Sequence, residues 1–208
     1  MAGKFENTEK KKRKKWPWIV GICVLVAILV LLLVRCDGEP DGVPTLTVET
    51  PQKISVSDTD EFTLDVTISD LGDALYPAMS VSISFDSSRL EFLGVQEGNV
   101  FIYDDENDVG QQLPDWSCNV QNSNDTGCIN IMYLDMTGGK YAFSKDLLGS
   151  DDNVVMRLHF RLRGSARSGD VLDLIVEDAV FAASDESQSL AMTTDTLKTK
   201  NGKIVIGE

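Results

Sequence analysis

From Phe62 onward the chain alternates. Phe62, Leu64, Val66 and Ile68 fall on one side of a period of two, with Thr63, Asp65, Thr67 and Ser69 on the other. That pattern describes a strand with one buried face, because successive side chains of a strand leave opposite sides. The same beat recurs where Met79, Val81, Ile83 and Phe85 alternate with Ala78, Ser80, Ser82 and Ser84, and again from Val154 to Arg163. Further strands are predicted at Thr45–Glu49, Leu90–Gln96, Trp116–Val120, Ile129–Leu134, Val171–Val176 and Lys203–Ile206, separated by Gly, Asp, Asn and Ser clusters that break regular structure. No amphipathic helix competes with them. Nine short strands without intervening helices predict an all-β fold of antiparallel sheets packed as a sandwich or jelly roll.

One apolar run follows a different rule. Trp16 to Val34 contains nineteen residues without a charge, which at about 1.5 Å per helical residue crosses the ~30 Å hydrocarbon layer. The basic run Lys10–Lys15 precedes it and acidic residues follow Arg35, so the positive-inside rule predicts a cytoplasmic N-terminus. The chain is therefore expected to divide into a basic cytoplasmic tail (1–15), a transmembrane helix (16–35), a Gly-, Pro- and acid-rich linker (36–44) and an extracellular domain (45–208). A cleaved signal peptide would have a shorter apolar core and a small-residue cleavage site. Processing or acylation at Cys36 is the alternative to a retained anchor, although Arg35 stands where a lipidated cysteine needs a small neighbour.

The net charge of −14 conceals two blocks, +5 over Met1–Lys15 and −20 over Cys36–Glu208. An exported body so acidic repels phosphate backbones, which argues against nucleic-acid binding. Of the four cysteines, Cys23 lies in the predicted span and Cys36 at its edge. Cys118 and Cys128, ten positions apart in the exported body, are expected to form a disulfide.

Catalytic chemistry finds little to work with. The single histidine, His159, sits between Arg157 and Arg161 on the outward side of a strand, a surface position rather than that of a general base. No phosphate loop or zinc-ligand spacing occurs, and carboxylates are too abundant for any pair to stand out. Asp104, Glu106 and Asp108 offer alternating hard oxygens loosely like a calcium loop, but the glycine and the twelfth position fail the pattern. Asn124-Asp125-Thr126 is formally a glycosylation sequon. Arg157, Arg161 and Arg163 form a basic stripe expected to pair with neighbouring carboxylates.

The order of segments adds a resemblance. Val81-Ser82-Ile83-Ser84-Phe85-Asp86-Ser87-Ser88-Arg89-Leu90-Glu91-Phe92 resembles the strand–turn–strand signature of cohesin domains. Gly94–Gly98, the apolar strand Ile129–Leu134 running into Thr137-Gly138-Gly139, Ser144-Lys145-Asp146, Val154–Arg163, Val171–Ala183 and the closing Asn201–Ile206 follow in the family's order. The likeness spans roughly Leu46 to Ile206. It implies a nine-stranded jelly-roll sandwich, related to carbohydrate-binding modules, that binds dockerin modules of secreted proteins, typically polysaccharide-degrading enzymes, without catalysis or a resident cofactor.

The resemblance further implies a partner face of outward residues: Ala78, Ser80, Ser82 and Ser84 on one strand, Asn130, Met132, Leu134 and Asp135 on another, and the acids Glu177 and Asp185. Ala78 and Ser80 depart from the Asn and Asp common in the family. Met132 and Leu134 point away from the core if Ile129, Ile131 and Tyr133 point into it; the alternative is a cluster covered by the long Gly98–Trp116 insertion. The reading is a membrane-tethered receptor for dockerin-bearing proteins at the plasma membrane. Direct glycan binding and a structural surface subunit are the alternatives.

Overall fold

Alternation becomes pairing in the computed structural model, which describes residues 42–50, 53–55, 61–98, 115–145, 153–192 and 196–208. The predicted tail, the predicted span, most of the linker and the Asp104, Glu106 and Asp108 positions lie outside the described residues. Among the described residues no helix is long and apolar enough to cross a membrane.

Twelve strands are present among the described residues: β1 (Thr45–Val48), β2 (Ile54–Ser55), β3 (Glu61–Ser69), β4 (Ala78–Ser84), β5 (Leu90–Glu97), β6 (Asp115–Cys118), β7 (Cys128–Leu134), β8 (Val154–Leu162), β9 (Val171–Ala182), β10 (Leu190–Ala191), β11 (Lys198–Lys200) and β12 (Gly202–Gly207). The expected count of nine is corrected upward. The three additions, β2, β10 and β11, are two or three residues long, too short to show a period. One sheet runs β11-β1-β3-β8-β5; the other runs β2-β12-β9-β4-β7-β6, with β10 added on β9.

The alternating residues meet across paired strands. Phe62 faces Phe160, Leu64 faces Leu158 and Val66 faces Met156 across β3 and β8, while Met79, Val81 and Ile83 face Tyr133, Ile131 and Ile129 across β4 and β7. Their inward sides share one core. Phe85, just past β4, lies 5.6 Å from Phe160 of the other sheet and ties the layers together. A second aromatic group joins Tyr133 to Phe143 at 4.5 Å and Phe143 to Phe181 at 5.7 Å. Edge-to-face and tilted rings of this kind add to the burial of apolar area that drives the sandwich together.

A helix, α1 (Val120–Thr126), stands where an irregular connection between the strands Trp116–Val120 and Ile129–Leu134 was expected. The Asn119 side chain accepts from Asn122 N–H at its start, and Gly127, with φ +70°, ends it in the left-handed conformation that glycine tolerates best. The helix closes an open sheet edge. Asn124 Oδ1 accepts from Phe92 N–H at 2.9 Å, and Asn124 Nδ2 donates to the Phe92 carbonyl at 2.8 Å. One side-chain amide thus replaces a neighbouring strand for the outer backbone edge of β5, which would otherwise be open to pairing. The sequon nitrogen is spent on this bracket, with a further bond to the Val120 carbonyl at 3.0 Å.

The expected Cys118–Cys128 disulfide is absent; both are free thiols. Cys118 is paired in register with Ile131, so Cys128 lies three residues farther along β7, about 10 Å away at strand rise and beyond disulfide reach. They also face opposite ways. Cys118 shares the inward side with buried Ile131, whereas Cys128 shares the outward side with Asn130 and Met132.

Candidate protein-docking face

The outward side of the β9-β4-β7-β6 region is assembled by pairing register. Across β4 and β7, Ala78 stands opposite Leu134, Ser80 opposite Met132, Ser82 opposite Asn130 and Ser84 opposite Cys128. Across β4 and β9, Ala78 faces Ala182, Ser80 faces Val180, Ser82 faces Asp178 and Ser84 faces Ile175. Eight sequence-predicted positions, Ala78, Ser80, Ser82, Ser84, Asn130, Met132, Leu134 and Glu177, thereby come together on one surface.

Its middle is small and polar: Ser82 Oγ donates to Asn130 Oδ1 at 2.7 Å, and Ser84 Oγ donates to Glu177 Oε1 at 2.7 Å. Its β7 side is apolar. Met132 is 62% exposed and Leu134 46%, and with Ala78, Ser117, Val180 and Ala182 they surround a shallow hollow of about 270 Å³. Apolar side chains around a small-residue floor suit a protein contact, because they bury area without desolvating charge.

Two predicted residues stand elsewhere. Asp135, the residue after β7, is buried: its carboxylate accepts from Thr137 Oγ1, from Thr137 N–H at 2.8 Å and from Gly139 N–H at 2.8 Å, bracing the turn rather than facing a partner. Asp185 caps a short 3-10 turn (Glu186–Gln188), where the Ser187 hydroxyl and N–H hold its carboxyl below the usual range. It lies past the end of β9, near exposed Leu75, whose carbonyl accepts from Ser184 N–H.

Sequence reasoning missed Val180, Ala182 and Ile175. The signal was in β9, apolar on both parities: Leu172, Leu174 and Val176 are buried while Val171 and Ile175 are exposed. A register shift between Ser82 and Ile83 makes Glu177 an extra residue, so the outward set changes from Ile175 to Asp178, Val180 and Ala182.

The other sheet's outer face is built oppositely. Arg157 Nε lies 3.0 Å from Asp65 Oδ1, His159 Nε2 lies 2.9 Å from Glu61 Oε2 and Arg161 Nη2 lies 2.9 Å from Glu91 Oε2. Arg163 donates to the Leu90 carbonyl at 3.1 Å and to Asn124 Oδ1 at 3.3 Å. The predicted basic stripe is thus engaged within the domain. Among the described residues no group of His, Cys, Asp and Glu side chains could hold a metal ion.

The family model for the cohesin domain matches residues 45–206, the whole sandwich. The chain belongs to the cohesin family. Similar solved structures include the third cohesin of ScaC from Acetivibrio cellulolyticus, solved with the ScaB dockerin, at 12% identity and TM-score 0.58, covering 79% of this chain and 99% of that one. The OlpC cohesin of Clostridium thermocellum, in complex with Doc435, is 16% identical at TM-score 0.55, covering 82% and 98%. A cohesin module from a family 33 glycoside hydrolase of Clostridium perfringens is 11% identical at TM-score 0.54, covering 80% and 98%. Comparison with curated protein sequences gives no match. At these identities the structural likeness establishes a shared fold, and the cohesin domain here is homologous to dockerin-binding modules.

Proposed function

We propose that this protein is a non-catalytic, single-pass receptor whose cohesin domain lies outside the cell and holds dockerin-bearing secreted proteins, polysaccharide-degrading enzymes among them, at the plasma membrane. The observation that carries the reading is the contrast between the two sheets. One outer face is closed by cross-strand ion pairs, and the other offers Met132 and Leu134 beside serines and Asn130. The structures of similar fold that hold a dockerin support it. The anchor rests on the charge-free run Trp16–Val34 and the basic residues before it.

Direct glycan binding has less to stand on. Flat aromatic platforms are its usual means, yet among the described residues Tyr133 of this sheet is buried and Trp116 packs against the core.

The test is titration of the full-length protein in detergent micelles with dockerin modules encoded in the same genome, with a glycan panel in parallel. Saturable dockerin binding is expected. Met132→Asp removes an apolar contact and places a carboxylate in a desolvated interface, together about 3 kcal/mol or ~100-fold in affinity. Its exposure means the thermal midpoint stays put. Saturable glycan binding without any dockerin binding overturns the reading. External protease that leaves the cohesin domain intact on whole cells, yet cuts it after lysis, overturns the topology.

A further inference from the structure

The outer face of the second sheet continues from Ser84 and Ile175 along β9 and onto β12, where Val171, Asp173, Lys203 and Val205 extend the docking surface described so far. Val171 and Val205 are cross-strand partners, Asp173 and Lys203 pair beside them, and Ile175 stands next to Ser84 of β4. Val171 is 50% exposed, Ile175 41% and Val205 38%. Val171 and Val205 are direct neighbours, and Ile175 stands two outward positions farther along β9, beyond the Asp173–Lys203 pair; aliphatic side chains this exposed contribute little to folding, because their apolar area stays in water. A hollow of about 300 Å³ opens beside them, lined by Ser84, Asp86, Val171, Asp173 and Ile175.

Acids edge this patch and cross it. Asp86 is held by Arg89 at 2.8 Å, and Asp173 lies 4.0 Å from Lys203. Glu177 accepts from the Ser84 hydroxyl, and among the described residues no cation comes within ion-pair distance of Glu177 or Asp178. A second copy of this chain would set carboxylates against carboxylates and is disfavoured as the occupant. Aliphatic side chains set among carboxylates are complementary to an apolar side chain flanked by Lys or Arg.

Spacing connects the patch to the hollow around Met132 and Leu134. Ala78 borders that hollow and Ser84 borders this one; six residues of strand separate them, roughly 20 Å. An occupant reaching both must be elongated, about 13 residues if helical.

We propose that the partner docking on Met132 and Leu134 also seats an aliphatic side chain, flanked by Lys or Arg, on the Val171–Ile175–Val205 patch, which makes β12 part of the interface; this rests on the dockerin-receptor reading. The experiment titrates full-length protein in detergent micelles with dockerin modules from the same genome, by calorimetry at low and high salt. Val171→Ser combined with Ile175→Ser weakens binding about tenfold. Glu177→Gln combined with Asp178→Asn weakens it severalfold and flattens the salt dependence, with the thermal midpoint unchanged. If both double variants bind within twofold of the parent while Met132→Asp abolishes binding, the β12 contact is overturned and the receptor reading stands. If the parent protein binds no dockerin, both fall. A concentration-dependent dimer lost on Ile175→Ser assigns the patch to a second copy and overturns the proposal.

Discussion

Replacing Asn124 with alanine removes a side chain that serves as a substitute strand. Its amide gives the Phe92 N–H and carbonyl their partners at 2.9 and 2.8 Å, reaches the Val120 carbonyl at 3.0 Å and accepts from Arg163 at 3.3 Å. Phe92 itself is fully buried. The Val120 carbonyl and the Arg163 guanidinium turn to water with little loss, so the cost concentrates on Phe92. Two backbone groups left without partners cost about 1–3 kcal/mol each, offset by roughly 0.5 kcal/mol from alanine's better helix propensity. The net expectation is about 1.5–5.5 kcal/mol, a drop of about 3–20 °C in thermal midpoint for a domain of this size. Urea unfolding of the full-length protein in detergent micelles, followed by tryptophan fluorescence, measures it. Asn122→Ala, on the exposed side of the same helix, serves as control and is expected within about 0.5 kcal/mol of the parent. If Asn124→Ala is as stable as that control, the helix does not close the β5 edge and the bracket is incidental.

Three further outcomes are expected. Arg161 holds Glu91 below its ordinary 4.5, and the Ser88 hydroxyl holds Asp86 below its ordinary 3.8. Depressed carboxyls contribute stability that is complete above those ordinary values and lost as pH falls through the lower folded ones. The thermal midpoint is therefore level from neutrality to about pH 5 and declines below it, and Glu91→Gln makes the decline shallower; an equal slope in that variant refutes the assignment. Both Cys118 and Cys128 take up a thiol reagent after unfolding without reductant, and in the folded protein Cys128 reacts first, because burial pushes the Cys118 thiol up; a mass two protons short refutes the free-thiol geometry. Gly127→Ala must hold φ +70° with a Cβ 3.0 Å from the Phe85 carbonyl, and the expected loss is about 1–2 kcal/mol by urea unfolding; an unchanged midpoint shows that the helix end can rearrange.

Much of this architecture was legible because alternation is a local property. Period two places Leu64, Val81, Ile131 and Leu158 inward whatever their partners are, so the long strands and the outward positions of Ser80, Ser82, Met132 and Leu134 follow from the chain alone. The ordered motifs between Leu46 and Ile206 pointed to the cohesin family on the same basis, since turns such as Asp86–Arg89 are made by neighbours in sequence. The blocks of opposite charge, and the long apolar run between them, are likewise read without coordinates.

What depends on distant residues required the folded chain. The parallel pairings of β1 with β11 and β2 with β12 join segments far apart in sequence, and β11 and β2 are too short to show a period. The register shift opposite Ser82 and Ile83 moves the outward set of β9, bringing Val180 and Ala182 to the docking face, and no local pattern announces it. Asp135 is the exception: it follows the outward Leu134, so period two alone turns it inward, and Thr137 and Gly139, close by in the chain, supply the donors that satisfy it there. Ten positions of separation made Cys118 and Cys128 look bridgeable, until pairing register and opposite facing set them apart. Side-chain direction along a strand is decided by the chain's own stereochemistry, whereas which face is covered, and by what, is decided by contacts that exist only once the sheets have closed on each other.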